Sequence, residues 1–172
     1  GLDEFLTENI DCQPPRWLIQ NWIMGSGLNV LTGAQKSTKS TIAGMIAAKV
    51  PGKVAWFSKD GENLGTTRER LISSGLPSGK SYIIPDSSTL EYEDFISILE
   101  KMSGELGDTG LIVINSVSGA NRYLGENQYK EALVRDMWME VKEAAGRTSM
   151  LLIAHGSSRN AENILRGSEA VH

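Results

Sequence analysis

The sequence lacks a membrane-crossing segment, a disulfide pair and an excess of basic charge. No apolar run approaches the roughly 20 residues needed to cross a bilayer, and no basic-then-apolar signal segment opens the chain. The one cysteine, Cys12, excludes an internal disulfide and fits a reducing compartment. Together with the missing membrane segment, this predicts a cytoplasmic protein without membrane contact. Because 17 Lys and Arg face 21 Asp and Glu, the net charge is −4, and no global basic field attracts nucleic acid. Any nucleic-acid contact must therefore be local or be made by an assembled ring.

The remaining composition is that of a globular domain. The chain has 172 residues, of which 40% are hydrophobic and 22% charged, so one core of ordinary size is expected. The first residues, GLDEF, and the last, EAVH, resemble cut edges. We therefore expect residues 1–172 to be a single domain of a longer protein, with residues 1–26 as a lead-in and residues 156–172 as a mobile polar loop.

Short apolar runs alternate with longer amphipathic segments along the chain. The apolar runs predict strands over 28–33, 53–58, 82–85, 111–116 and 149–155. The amphipathic segments predict helices over 37–50, 63–75, 91–102 and 127–146. This alternation predicts an α/β fold with a mainly parallel central sheet and helices on both faces. Ligands of such sheets bind beyond the carboxyl ends of the strands.

Polar residues follow four of the predicted strands at that edge: the segment 33–41, the pair Lys59-Asp60, the pair Asn115-Ser116, and His155. The segment 33–41, GAQKSTKST, is one letter from the phosphate-binding pattern G-x-x-x-x-G-K-[ST], because Thr38 replaces the second glycine. Such a loop needs inward-pointing amides, a helix N-terminus behind them and one lysine. Threonine is acceptable at position 38 if its backbone is helical and its side chain points away from phosphate. A glycine turn before a Ser/Thr-rich helix start is the simpler alternative.

The segment PPRWLIQNWIMGSGLNVLTGAQKSTKSTIA (14–43) resembles the opening of RecA-type ATPases of the RepA helicase group, which share a RecA-like core with DnaB-type replicative helicases. The resemblance extends over about residues 14–171. It implies a RecA-like P-loop core that binds ATP and Mg²⁺ and couples hydrolysis to movement on single-stranded DNA. It also implies a homo-oligomer, a hexameric ring, with DNA contacts in the loops after Ser116 and His155.

The resemblance also assigns roles to individual residues. The expected nucleotide-binding residues are Gly33, Lys36, Ser37, Thr38, Lys39, Ser40 and Thr41, and the expected Mg²⁺ ligands are Ser40 and Asn115. The expected catalytic residues are Lys39, Asp60, Asn115, His155 and Arg166. His155 would contact the γ-phosphate. Arg166, in LRGSEAVH, would reach the γ-phosphate of a neighbouring subunit, with Arg159 behind it and Asn160 as a second polar contact of the loop.

Two departures from the family pattern fall in the hydrolysis machinery. Lys59 stands where the family has the glutamate that polarises water, and a charged ammonium cannot accept a proton. Asn115 stands where the family has the Mg²⁺-binding aspartate, so metal affinity should fall. Asp60, Glu62 or Glu126 could supply a relocated carboxylate. For Glu126, capping of the helix predicted from 127 is the alternative. Lys59 could instead contact phosphate or form a charged turn at the strand end.

Three interpretations remain open from the sequence. The first is a working helicase-type ATPase, and the second is a nucleotide-binding module that hydrolyses weakly or not at all and regulates or loads another replication protein. A small-molecule kinase would share the loop but needs an acceptor-binding lid, for which no basic segment is found. The substitutions at positions 38, 59 and 115 could also be engineered.

Overall fold

The computed structural model describes residues 1–11, 13–34, 38–86 and 90–156. Seven strands are present in these residues: β1 (Trp17–Ile19), β2 (Ile23–Met24), β3 (Leu28–Gly33), β4 (Val54–Ser58), β5 (Ser81–Ile84), β6 (Leu111–Asn115) and β7 (Ser149–His155). Five of them form one sheet in the order β3-β7-β6-β4-β5, and every neighbouring pair is parallel. The predicted parallel central sheet is confirmed, and all five carboxyl ends meet at one edge.

Helices cover both faces of this sheet, as predicted. They are α1 (Lys39–Ala48), α2 (Leu64–Ser73), α3 (Tyr92–Leu106), α4 (Val117–Asn121) and α5 (Glu131–Ala145). On one face, α3 and α5 bury Phe95, Leu99, Val134 and Trp138 against alternate strand residues. On the other face, α1 and α2 bury Ala43, Ile46 and Leu71 against the other set of alternate strand residues. Because both faces are covered, β4 and β6 are buried at every position, which explains their continuous apolar runs.

The chain outside the central sheet forms a small antiparallel ribbon and several tight helical turns. The pairing of β1 with β2 was not predicted, since a two-residue strand carries no periodicity. The 3₁₀ segments are Leu2–Phe5, Thr7–Asn9, Ser78–Lys80, Gly107–Thr109 and Arg122–Tyr129. None of the helices in the described residues is both long and apolar enough to span a membrane.

Three of the predicted boundaries differ from the structure. The helix predicted over 127–146 begins only at Glu131, because the backbone of Lys130 is extended and the preceding segment is a 3₁₀ run. The strand predicted over 111–116 ends at Asn115, and Ser116 instead caps the short helix α4, which the sequence analysis missed. The helix predicted over 91–102 continues to Leu106 and ends where Gly107 adopts a positive φ of 61°.

Candidate functional site

Side-chain alternation directs three polar residues toward the sheet face that α1 covers. The cluster under α1 and α2 takes its residues from alternate positions of β4, β6 and β7: Val54, Trp56, Leu111, Val113, Leu151 and Ile153. Two residues further along each strand come Ser58, Asn115 and His155. Because side chains two apart share a face, these three residues lie on the α1 side of the sheet at its carboxyl edge.

The predicted phosphate lysine lies at the same edge. Lys39 is the first residue of α1 and only 3% exposed. Its ammonium donates to the carbonyl oxygen of Gly33 at 2.8 Å and also to that of Ala34. The ammonium therefore lies against the start of the predicted loop, and it does not point into solvent.

Thr38 does not have the helical backbone that was expected of it, but its conformation does not require a glycine. Its φ is −80° and its ψ 26°, so it lies outside the left-handed region that favours glycine. Its carbonyl accepts the first helical hydrogen bond, from the amide of Ile42 at 2.9 Å. Ser40 and Thr41 follow in the first turn of α1, in the positions that the motif requires.

Asp60 and Asn115 are in direct contact. The side-chain amide of Asn115 donates to Oδ2 of Asp60 at 3.1 Å, while the hydroxyl of Ser58 and the amide of Glu62 donate to Oδ1 at 3.3 and 3.0 Å. Asp60 is exposed and Asn115 is fully buried. Three donors therefore fix the orientation of a carboxylate that still reaches solvent.

The carbonyl oxygen of the Asn115 side chain is a buried atom without a hydrogen-bond partner within the described part of the chain. An unpaired buried amide oxygen is destabilising unless a ligand or water satisfies it. Mg²⁺ binds oxygen ligands, either directly or through its bound water. The Asn115 amide oxygen and the neighbouring Asp60 carboxylate are both ligands of this type. The donor set therefore fits the predicted metal, although no cluster of three His, Cys, Asp or Glu is present among the described residues.

His155 is the last residue of β7 and pairs in register with Gly33, at the base of the predicted loop. Burial, followed by the positive charge of Lys39, lowers the pKa of His155 below its ordinary value of 6.5, and the negative charge of Asp60 opposes part of this effect. The imidazole is therefore neutral at pH 7 and responds to both charged residues, as expected for one shared site.

Two close backbone contacts hold the edges of this site. A Cβ on Gly156 would come within 2.6 Å of the carbonyl oxygen of Gly33, so the chain after β7 can pass β3 only without a side chain. A Cβ on Gly119 would come within 1.6 Å of the carbonyl oxygen of Lys59, so α4 lies directly on the end of β4. These two glycines were not identified from the sequence, because close approach depends on elements far apart in the chain.

Lys59 does not belong to this site. Lys59 comes two residues after Phe57 and four after Ala55, both of which pack under α3 and α5. Its side chain therefore points to the same face of the sheet. Lys59 is 3% exposed there, and its ammonium forms an ion pair with Asp86 at 2.8 Å and donates to the hydroxyl of Tyr123 at 2.8 Å. It also lies 4.5 Å from the centre of the Tyr123 ring. Of the two roles considered for Lys59, this geometry favours the charged turn at the strand end over the phosphate contact.

Among the three carboxylates considered as substitutes, only Asp60 contacts the α1-side residues. Glu62 is held by Arg70 at 2.7 Å and by the hydroxyl of Thr67 at 2.8 Å, both on α2. Glu126 lies exposed within the 3₁₀ run, and the proposed capping by Glu126 is wrong because the cap of α5 is Lys130.

A cleft of about 460 Å³ opens beside Asp60 and His155. Its wall also includes Ser116, Ser118 and Arg122. Arg122 was missed by the sequence analysis, because a single exposed arginine in a loop carries no motif. Its guanidinium donates to the carbonyl oxygen of Lys59 at 2.7 Å, which places a positive charge at the mouth of the cleft.

Several predicted residues lie outside the described part of the chain: Lys36, Ser37, Arg159, Asn160 and Arg166. The segment after Ser116, predicted as a DNA-contacting loop, is the helix α4, and four of its five residues are buried. Because α4 packs onto the sheet end, the 3₁₀ run Arg122–Tyr129 is the more exposed part of this connection, and the DNA contact expected here stays a prediction.

No protein-family model and no curated protein matches this chain.

Proposed function

We propose that this chain is a RecA-like domain that binds ATP at the carboxyl edge of its sheet, with the phosphates at the N-terminus of α1. The supporting observation is that Lys39, Asp60, Asn115 and His155, which lie far apart in the sequence, come together on one sheet face. A positive lysine at a helix start beside a glycine-ended strand suits a polyphosphate. An oriented carboxylate beside a buried amide suits the accompanying metal.

In this proposal each residue of the chain has a distinct task. Lys39 moves from the carbonyls of Gly33 and Ala34 to the phosphates, and the hydroxyl of Ser40 would hold the metal, with the carboxylate of Asp60 beside it. Bound Mg²⁺ would supply charge neutralisation on the phosphate oxygens. Asn115 orients Asp60 through its amide, and direct ligation of the metal by Asn115 stays a prediction.

The Asp60 carboxylate is the proton acceptor in this proposal. Asp60 reaches solvent next to the cleft, whereas Lys59 faces the opposite side of the sheet. We therefore propose that Asp60 takes the proton from the attacking water and that His155, neutral at pH 7, hydrogen-bonds to the terminal phosphate. By this proposal the domain is a helicase-type ATPase, assembled as a hexameric ring on single-stranded DNA.

The alternative function is a nucleotide-binding module with little or no hydrolysis. It is favoured by one observation: Asp60 accepts three hydrogen bonds in this structure, so protein donors already occupy positions around the carboxylate that an attacking water would need. In that case binding of ATP would act as a switch for another replication protein.

Nucleotide binding by the wild type, Lys39→Ala and Lys49→Ala tests the proposal. Lys49 caps the other end of the same helix and is exposed, so it controls for loss of one positive charge from α1. We expect Lys39→Ala to weaken ATP binding by about tenfold or more, as for loss of a charge-assisted hydrogen bond, and Lys49→Ala to leave it unchanged. Equal affinity in all three proteins would exclude the phosphate site.

Turnover then separates the two functions. With Asp60→Asn, we expect ATP binding to persist and turnover, with and without single-stranded DNA, to fall by about 10²-fold. Binding without measurable turnover in the wild type would favour the switch, and turnover unaffected by Asp60→Asn would assign the proton acceptor elsewhere.

A further inference from the structure

A cleft of about 400 Å³ lies beside α5, on the side of the sheet that α3 and α5 cover. Its walls come from the first turn of α3, the 3₁₀ run Arg122–Tyr129 and α5. The α5 residues Leu133, Asp136, Met137 and Glu140 are three or four positions apart, so they follow one side of this helix over two turns. The cleft therefore runs along α5, and it shares no lining residue with the cleft at the carboxyl edge.

The charged side chains that line this cleft are all carboxylates: Glu93, Asp136 and Glu140. Within the described part of the chain, none of the three forms an ion pair. Nor do they belong, among the described residues, to a group that could hold a metal ion. Separate carboxylates without a counter-ion suit a ligand that carries more than one positive group, each with N–H donors.

Two tyrosines complete the polar wall of the cleft: Tyr92 and Tyr123, with ring centres 5.6 Å apart. The ammonium of Lys59 already lies 4.5 Å from the centre of the Tyr123 ring and donates to its hydroxyl. The hydroxyl oxygen of Tyr92, in contrast, is buried and makes no hydrogen bond of ordinary geometry within the described residues, although Glu140 lies beside it. Burial, followed by the negative charge of Glu140, raises the pKa of Tyr92 and keeps its hydroxyl protonated. A buried hydroxyl without a partner is a group that a ligand donor or a water satisfies.

The negative charge extends beyond the cleft over the two helices that flank it. Helices α3 and α5 contain eight acidic and three basic residues, so their net charge of −5 is larger in magnitude than the −4 of the whole chain. Inside the cleft, Leu124, Leu133 and Met137 form an apolar part of the wall, which suits the aliphatic stems of lysine or arginine. A charged surface of this extent is larger than a small diamine requires, so the complementary partner is a basic polypeptide segment.

The spacing of the carboxylates on α5 indicates which segment fits. Asp136 and Glu140 are four residues apart, which is about 6 Å along the helix axis. In an extended chain, side chains two residues apart point to the same side and are separated by roughly 6.6 Å. An extended segment with basic residues at alternate positions therefore matches both carboxylates at once.

We propose that this cleft binds an extended basic segment of a partner protein, in which two arginine side chains at alternate positions pair with Asp136 and Glu140. The guanidinium beside Glu140 also donates a hydrogen bond to the hydroxyl of Tyr92. Arginine is preferred to lysine because its five N–H donors can serve a carboxylate and a hydroxyl together. The cleft is a binding surface of its own and does not depend on the proposed nucleotide site.

Fluorescence anisotropy of a labelled synthetic peptide with the full chain tests this proposal. The probe is a short peptide of alternating glycine and arginine, and the same peptide with glutamine in place of arginine is its uncharged control. The double variant Asp136→Asn/Glu140→Gln removes two carboxylates from the cleft. Glu100→Gln/Glu143→Gln is the matched control, because it removes the same charge from exposed positions of α3 and α5 outside the cleft. We expect the first double variant to weaken binding of the arginine peptide by about tenfold, as for two partly exposed ion pairs, and the control to bind it like the wild type.

Tyr92→Phe isolates the hydroxyl. We expect it to weaken binding of the arginine peptide by about threefold to tenfold, as for loss of a hydrogen bond to a charged donor. Its urea midpoint should stay equal to that of the wild type or rise, because the hydroxyl that is lost had no partner in the folded chain. A hydroxyl with a purely structural role would leave peptide binding unchanged. Circular dichroism of each variant establishes that the fold is retained.

Four results would overturn the proposal. They are absence of binding to the wild type, an equal loss of affinity in both double variants, which indicates diffuse attraction by the acidic helices, displacement of the peptide by spermidine of equal affinity, which indicates a free polyamine as the occupant, and self-association of the wild type that Asp136→Asn/Glu140→Gln abolishes, which indicates a second copy. ATP binding by Asp136→Asn/Glu140→Gln, measured in parallel, should equal that of the wild type, so failure of the cleft and failure of the nucleotide site are distinguished.

Discussion

Removal of the Asp86 carboxylate should destabilise the fold more than removal of the Lys59 ammonium with which it pairs. Lys59 is 3% exposed, and its ammonium lies among Asp86, Tyr123 and Phe95. In Asp86→Ala it stays buried without its counter-ion. Breaking a buried ion pair in this way costs about 3–5 kcal/mol. Because Asp86 is partly exposed and the Tyr123 hydroxyl still accepts a hydrogen bond, we expect about 2–3 kcal/mol.

The reverse substitution, Lys59→Met, removes the buried charge and keeps an apolar side chain against the two aromatic rings. Asp86 then retains Arg122 at 3.5 Å and its access to water. We expect a loss of only about 1 kcal/mol, since a buried pair can often be replaced by apolar groups with little effect. The double variant Lys59→Met/Asp86→Ala should have about the same free energy of unfolding as Lys59→Met, because no unpaired ammonium remains buried.

Urea unfolding followed by tryptophan fluorescence measures these differences. The chain has four tryptophans, and Trp56 and Trp138 are fully buried reporters. A loss of 2 kcal/mol corresponds to a shift of the urea midpoint by about 1 M. If Asp86→Ala lost less stability than Lys59→Met, or if the two losses simply added in the double variant, the description of Lys59 as a buried paired charge would be wrong. Lys59→Met should also leave ATP affinity unchanged, since this side chain faces away from Lys39.

Two further predictions follow from the strand ends. Gly119→Ala places a Cβ 1.6 Å from the carbonyl oxygen of Lys59. We expect the free energy of unfolding, measured with urea, to fall by at least about 1–3 kcal/mol. The control Gly104→Ala, at an open position in α3, should be neutral or stabilising. For His155 the folded pKa lies below the unfolded value of 6.5, so the unfolded state binds more protons and stability falls as the pH drops below about 6.5. His155→Gln should show a smaller difference in urea midpoint between pH 7.5 and pH 5.5, and an equal difference would exclude this linkage.

The sequence alone supported the layer architecture because the relevant signals are local. Continuous apolar runs at 111–115 and 149–155 indicate strands covered on both faces, and the amphipathic segment from 92 indicates a surface helix. It failed for the helix predicted from 127. The sequence after Glu126 has a helical pattern, but the structure has a 3₁₀ run up to Tyr129 and an extended backbone at Lys130. The α-helix therefore begins only at Glu131.

For the candidate site, the sequence identified which residues lie at strand ends and the tertiary structure decided which of them meet. Asp60 and Lys59 are neighbours in the chain, yet alternation sends one toward Asn115 and the other toward Asp86. No sequence signal distinguishes them, since both follow the same apolar strand. The close contacts of Gly119 and Gly156 likewise depend on segments that are distant in the chain.

Residue order therefore determined the strands, the helices and the polar residues that follow them, because backbone preference and hydrophobic period act within a few residues. Only the packed sheet decided that Lys39, Asp60, Asn115 and His155 share one face, that Lys59 does not, and that Tyr92 and Glu140 line one cleft. The physical reason is that side-chain direction and strand order are properties of the assembled sheet, which fixes the distances between residues that the chain itself leaves far apart.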